Sequence, residues 1–236
     1  MQELRGLLEK YVEERYIKKD DLEGWYTRTD SEINFAYRKK RIHVTKHKKH
    51  KVSKFLPLLY LFPWVDLVLL TGSCAIENAK ESDDVDLLIV TRPHTMFICR
   101  MYTFLLARTL GLGRKRLVEE QPGAVCANIW IDGSDLTAPQ SKVNVYSARE
   151  IVNAVVLFDR GIVYEKLIGA NRWIHEKLPN WGINTIKNSI SFHDTAWFVR
   201  KINEYAGRFQ LWYMRPHITQ EIVGMTQLWL HPRLHH

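Results

Sequence analysis

The chain has 236 residues, 46% of them hydrophobic and 25% charged. That is enough for one sizeable core or two small ones, and it excludes disordered and collagen-like classes. The formal charge of +8 comes from 34 Lys and Arg against 26 Asp and Glu, and its distribution is uneven. No acid falls between Glu32 and Asp66, whereas Arg38 to Lys54 holds nine Lys or Arg. The rest of the chain is nearly neutral around one basic segment. Cys74, Cys99 and Cys126 show no CxxC spacing, so no disulfide framework or zinc knuckle is expected. The most apolar stretch, Phe55 to Leu70, is broken by Pro57, Pro63 and Asp66 and is shorter than the roughly 20 residues of a membrane helix. With no apolar signal segment at the start, the expectation is a soluble cytoplasmic protein with no membrane partner.

In chain order, Leu4, Leu7, Leu8, Tyr11 and Val12 recur at helical spacing and predict an amphipathic helix to about Arg15. A strand-turn-strand follows, with the turn at Lys18 to Gly24 and the second strand at Trp25 to Arg28. A helix leading into a hairpin is the second half of a winged-helix-like module; the alternative is a simple cap on the next domain. Val44 to Phe62 reads as helix, with Pro57 a kink or stop. Val65 to Leu70 is a buried strand running into Thr71-Gly72-Ser73 and a short helix. Val85 to Thr91 is a second strand, Thr95 to Leu110 a long helix closed by Gly111 and Gly113, and Val125 to Asp132 a third strand. The remainder reads as helical: Ala148 to Phe158, Ala170 to Lys177 and Asp194 to Met214. The expected domains are 1–54 (helix, hairpin and basic segment), 55–140 (an α/β domain) and 141–236 (a C-terminal helical region).

The chemistry sits in Leu69-Leu70-Thr71-Gly72-Ser73 and, after a ten-residue spacer, Asp84-Val85-Asp86-Leu87-Leu88-Ile89-Val90. Residues i and i+2 of a strand share a face, so Asp84 and Asp86 project side by side. Among Val, Leu and Ile such a repulsive pair is costly unless a cation neutralises it. Mg²⁺, or Mn²⁺ in its place, suits paired carboxylate oxygens and is commonly shared with substrate phosphates. Two such ions can activate a hydroxyl and stabilise a leaving pyrophosphate. Gly72 permits close backbone approach to a phosphate, and the following amides with the Ser73 hydroxyl can hold a triphosphate.

The string TGSCAIENAKESDDVDLLIV resembles the hG[GS]…DhDh signature of the DNA polymerase beta-like nucleotidyltransferase superfamily. The motif covers about 20 residues and the order of elements extends the likeness over about 90. More closely, the run through Arg92-Pro93-His94, then CANIWID, NVYSARE and YMRPHITQEIV, resembles bacterial and archaeal nucleotidyltransferase-domain proteins. The resemblance implies an α/β (α+β) domain with a small mixed sheet. It implies transfer of a nucleoside monophosphate from an NTP to a hydroxyl, with Gly72 and Ser73 on the triphosphate and Asp84 and Asp86 on the metals. The superfamily usually has a third carboxylate on a neighbouring strand. Asp132 fits if that strand runs antiparallel to the Asp84 strand, and Asn128 is the alternative.

Outside the motif, Arg38, Lys39, Lys40, Arg41, Lys46, Lys48, Lys49 and Lys51 form a candidate nucleic-acid surface, since clustered cations attract a phosphate backbone without regard to sequence. This makes a nucleic-acid 3′ end the first acceptor to consider. A protein hydroxyl, with a protein partner, is the second, and a non-catalytic nucleotide sensor the third. His43, His47 and His50 are helically spaced among lysines without an assisting carboxylate, so zinc is not expected. Arg92, His94, Arg100 and Arg114-Lys115-Arg116 are each either phosphate contacts or helix-end and surface charges. On the last long helix, Arg208 and Tyr213 are candidates to hold or stack a nucleotide, while the aromatic stripe of Trp197, Phe198, Tyr205, Phe209 and Trp212 reads as core.

Overall fold

The computed structural model describes residues 2–21, 23–30, 35–113, 123–181, 194–219 and 221–230. Its described elements, in order, are α1 (Gln2–Glu13), β1 (Ile17–Asp20), β2 (Trp25–Arg28), α2 (Phe35–Leu61), β3 (Val65–Leu70), α3 (Gly72–Ala75), β4 (Val85–Thr91), α4 (Met96–Thr109) and β5 (Val125–Asp132). They continue with α5 (Val145–Val152), β6 (Val155–Asp159), α6 (Val163–Ala170), α7 (Trp173–Lys177), α8 (Trp197–Met214), β7 (Ile222–Val223) and β8 (Gln227–Trp229). The architecture is mixed α/β. Arg114-Lys115-Arg116 lies outside the described residues.

A six-stranded mixed sheet of order β6-β3-β4-β5-β8-β7 forms the centre. β3 pairs antiparallel with β4 and with β6, β4 pairs parallel with β5, and β5 pairs antiparallel with β8. Alternation sorts the apolar side chains of β3 and β4 to the two faces. Val68, Leu70, Leu87 and Ile89 pack with Phe55 and Leu59 of α2 and Phe97 and Cys99 of α4. Leu67, Leu69, Leu88 and Val90 pack on the other face with Ile151 of α5, Leu167 of α6 and Ile174 of α7. The sheet is thus covered on both sides, as strands so uniformly apolar require.

Several expectations give way here. The helix expected over 148–158 ends at Val152. Val155-Val156-Leu157-Phe158 is β-branched and aromatic, and it adds a strand to the open edge of β3 instead. The region beyond residue 140 is therefore not only helical: β6 closes one edge of the sheet and the β7-β8 hairpin the other. Lys18 to Asp20 belong to β1, paired with Tyr26 and its neighbours, rather than to a turn. α2 is one helix that begins nine residues before Val44, passes through residue 54 and carries Pro57 inside it. The expected boundary at 54/55 therefore falls inside a helix. α1 buries no residue, and the hairpin meets α2 through Lys39 and Asp20 at 3.0 Å and through Arg38, 5.9 Å above the Trp25 ring.

A candidate nucleotide and metal site

Gly72 leaves β3 with φ of +63°, a conformation that side chains strain to adopt. A Cβ there would collide with the carboxylate of Asp86, its Cγ lying only 3.2 Å away. The turn and the second carboxylate of the D-V-D run are thus in contact range, and only a glycine fits between. One more bond fixes the register, from the Thr71 amide to the Asp86 carbonyl at 3.0 Å.

Ser73 is placed differently from expectation. Its hydroxyl donates to Asp83 Oδ2 at 2.7 Å, and the same oxygen accepts from the Lys80 amide at 2.8 Å. Asp83, read from the sequence as loop, thereby ties the loop back to the turn. The Ser73 oxygen retains its capacity to accept, while its proton is engaged.

On the neighbouring strand, the parallel register pairs Asp86 with Cys126 and Thr91 with Asp132. This overturns the role expected of Asp132. Because β5 runs parallel to β4, Asp132 stands at the far end, some five residues and roughly 16 Å along the strand from Asp86 at about 3.3 Å per residue. There its buried carboxylate accepts from the amides of His94 (2.8 Å), Thr95 (3.2 Å) and Met96 (3.4 Å), and from the amide and hydroxyl of Ser134. It caps the start of α4. Asn128 is the residue that meets Asp86, donating its Nδ2 hydrogen to Asp86 Oδ1 and accepting at Oδ1 from Cys126 Sγ. A bulge explains its aim. Leu87 pairs with Ala127 and Leu88 with Ile129, so Asn128 is the extra residue and leaves the alternation that linked it to Trp130.

The basic segment has an unexpected task. Along one ridge of α2, Arg38 donates to the Glu77 carbonyl (2.7 Å), Arg41 to the Asn78 carbonyl (2.8 Å), and Lys48 to the carbonyls of Glu81 (3.0 Å) and Asp83. Between them, the Thr45 hydroxyl accepts from the Ala79 amide at 3.2 Å. The helix thus grips, residue after residue, the loop that joins Gly72-Ser73 to Asp84. Lys48 is buried, 4% exposed. Burial pushes its ammonium below the usual lysine range, partly offset by the nearby Cys74, Asp83 and Asp84. Lys39, Lys40 and Lys49 pair with Asp20, Glu81 and Glu77. Of the eight cations read as a nucleic-acid surface, six are thus committed within the chain. Lys46 is exposed and Lys51 half-buried, and the outward face adds His43, His47, His50 and Lys54.

The other candidates lie elsewhere. Arg92 reaches Asp66 at 3.5 Å, shared with Arg160 at 3.7 Å, so it holds a buried carboxylate inside the fold. Arg100 donates to Gln210. Arg208 pairs with Glu204 at 2.6 Å on the exposed side of α8, and Tyr213 belongs to the same helix, which packs on α4. Sequence reading also did not single out Tyr146 and Glu150 of α5; Tyr146 is exposed overall, with its phenol partly covered. Burial raises the Tyr146 phenol above its ordinary value, and the charges of Glu150 and Asp86 raise it further. Their i, i+4 spacing after the Asn144 cap was the available signal.

Among the described residues, no group of three or more His, Cys, Asp or Glu converges as a metal cage. Two carboxylates still match Mg²⁺, which is usually held by one or two and completed by water and phosphate oxygens. Comparison of the chain with family models, with curated proteins and with solved structures found no match.

Proposed function

We propose that the protein is a nucleotidyltransferase of the DNA polymerase beta-like type, moving a nucleoside monophosphate from an NTP to a hydroxyl and releasing pyrophosphate. The observation that carries this reading is the contact between the Gly72 turn and the Asp86 carboxylate. It joins the two halves of the G-S…D-V-D string that resembles the superfamily signature. Asp84 and Asp86 would hold Mg²⁺, and the Gly72-Ser73 turn would receive the triphosphate. The bound metal would neutralise phosphate charge and favour the ionised acceptor. Asp83 keeps the Ser73 hydroxyl oriented, and α2, through Arg38, Arg41 and Lys48, holds the intervening loop so that turn and carboxylates keep their spacing. Catalysis in such a site rests on positioning and electrostatics rather than covalent chemistry.

A nucleic-acid 3′ end remains the proposed acceptor, met by the exposed cations Lys46 and Lys54 of α2. The test is incubation with each α-³²P-labelled NTP, Mg²⁺ or Mn²⁺, and short RNA or DNA primers, beside an Asp84→Ala/Asp86→Ala control. Primer label lost in the control supports the reading, and label on protein alone moves the acceptor to a protein hydroxyl. A second reading has its own observation. Asn128, a neutral amide, meets Asp86 where a third carboxylate would be expected, which favours a protein that binds Mg·NTP and transfers slowly or not at all.

A further inference from the structure

The aromatic stripe of α8, read from the sequence as core, is exposed at Trp197, Phe198, Tyr205, Phe209 and Trp212. A smaller exposed aromatic pair lies where α1 meets the β1-β2 hairpin, and this one frames a cavity. α1 ends in a turn in which the Arg15 amide donates to the Val12 carbonyl (3.0 Å) and the Tyr16 amide to the Tyr11 carbonyl (3.0 Å). Such a turn ordinarily has glycine at its left-handed position, because a side chain strains there. Here the residue is Arg15, with φ of +61°. The turn is tied to the exit of the hairpin: the Thr29 hydroxyl donates to the Arg15 carbonyl at 2.6 Å, and the Thr29 amide to the Tyr16 carbonyl at 3.0 Å.

Tyr11, Arg15, Tyr16, Ile17, Arg28 and Asp30 line a cavity of about 620 Å³ between the turn and the hairpin, a size that small ligands commonly occupy. The Tyr11 and Tyr16 rings stand edge to face, 6.1 Å between centroids and 77° between planes, and are 45% and 66% exposed. Two rings at that angle make a corner, in which a flat aromatic ligand stacks on one and meets the edge of the other. Asp30 fixes the Arg28 guanidinium through two bonds, at 3.0 Å from Nε and 2.6 Å from Nη2, and the Nη1 hydrogens stay outside that pair. Two arginines against one aspartate give the lining a net charge of +1, which one phosphodiester neutralises. Backbone strain is kept where a site needs the residue, and the residue kept at φ of +61° is a cation on the wall of this cavity.

We propose that this cavity holds one nucleotide of a single-stranded nucleic acid, its base stacked on Tyr11 and Tyr16 and its phosphate against Arg15 and Arg28. An aromatic platform beside cations is how proteins hold single strands without reading their sequence. The hairpin links the cavity to the candidate metal site. Ile17 pairs with Arg28 and Asp20 with Trp25, so Trp25 lies three residues from Arg28, about 10 Å along the strand. Arg38 stands over the Trp25 ring and donates to the carbonyls of Ile76 and Glu77, on the loop that leads from Ser73 to Asp84. Use of the cavity to guide a 3′ end toward Asp86 rests on the nucleotidyltransferase reading; the binding itself does not.

The test is fluorescence anisotropy of a fluorescein-labelled single-stranded RNA of about 12 nucleotides, titrated with the full chain in the absence of NTP and divalent metal. Tyr11→Ala/Tyr16→Ala should weaken binding about tenfold, as loss of a stacking platform does. Arg15→Gly removes the cation and relieves the turn. It should weaken binding about threefold and make the slope of log K against log salt less negative by about 0.7, with the melting temperature unchanged or higher. An arginine with a purely structural role would change stability and leave affinity and slope alone. Because neither NTP nor metal is present, failure to label a primer, with Arg15-dependent RNA binding intact, would count against the transferase reading alone. Wild-type affinity and slope in Arg15→Gly would overturn the inference, as would a wild type that binds no RNA. Displacement of the RNA by AMP below about 1 mM would overturn it in favour of a free nucleotide.

Discussion

Asn128 donates an amide hydrogen to the carboxylate of Asp86, so the partner that β5 offers the second acid of the D-V-D run is neutral. The amide satisfies one oxygen of Asp86 without adding charge. Asn128→Asp should therefore destabilise the metal-free protein by about 1–2 kcal/mol, through a third like charge. It should also bind Mg²⁺ roughly tenfold more tightly and regain stability when the ion is added. Urea titrations with and without Mg²⁺ measure both effects, and a variant insensitive to Mg²⁺ contradicts the assignment.

Asp132 is a structural acid at the other end of the sheet. Removing it by Asp132→Ala strips the amides of His94, Thr95 and Met96, which lead into α4, and Ser134 of their acceptor. The expected cost is about 3 kcal/mol, since hydrogen bonds to a charged, buried acceptor are among the stronger ones. Nucleotide affinity should stay within about twofold of wild type at a temperature where the variant is folded. A selective loss of Mg·NTP binding without loss of stability would return Asp132 to the site.

The three thiols should separate by pH. Burial pushes Cys74 up to about 11 and raises Cys99 further, while Cys126 is half-buried opposite Asp86. The thiolate is the reactive form, so at pH 8 only about one Cys74 in a thousand is ionised, and its alkylation should climb about tenfold per pH unit toward pH 10. Iodoacetamide at pH 8 should modify Cys126 first, and Mg·ATP should slow that modification. Peptide mass spectrometry follows each site; equal rates at Cys74 and Cys126, or no protection by Mg·ATP, would contradict the placement.

The G-S turn was legible in the sequence because it is local: Gly72 announces a close approach, and the Asp86 carboxylate is what comes close, whereas Asp84 precedes β4, which begins at Val85. The choice between Asn128 and Asp132 was not legible, because it depends on whether β5 runs parallel or antiparallel to β4 and on a one-residue bulge, both tertiary facts. Charge counting alone likewise gave Arg38, Arg41 and Lys48 an outside partner, although the backbone carbonyls of residues 77–83 accept their hydrogen bonds. β6, β7 and β8 escaped notice for another reason. They have five, two and three residues, too few for a period to declare itself, and they exist by pairing with the edges that β3 and β5 leave open.

The commitments of α2 also set the salt dependence of any nucleic-acid binding. Each phosphate contact on a single strand contributes about −0.7 to the slope of log K against log salt. The two exposed lysines of α2, Lys46 and Lys54, give about −1.4, whereas all eight cations read from the sequence would give about −6. Fluorescence anisotropy of a short labelled RNA from 50 to 300 mM salt distinguishes the two, and the steeper slope would mean that α2 releases the loop on binding.

Calorimetric titration of the full chain with ATP, GTP, CTP and UTP decides whether the Gly72 turn and the Asp84-Asp86 pair together form the proposed site for a metal-bound nucleoside triphosphate. With Mg²⁺ present, at least one NTP should bind with a micromolar dissociation constant. Chelating the metal, or substituting Asp84→Asn/Asp86→Asn in a folded variant, should weaken that binding at least a hundredfold. Binding of equal strength with and without Mg²⁺ and in the variant, or none of any NTP by the wild type, would contradict the account.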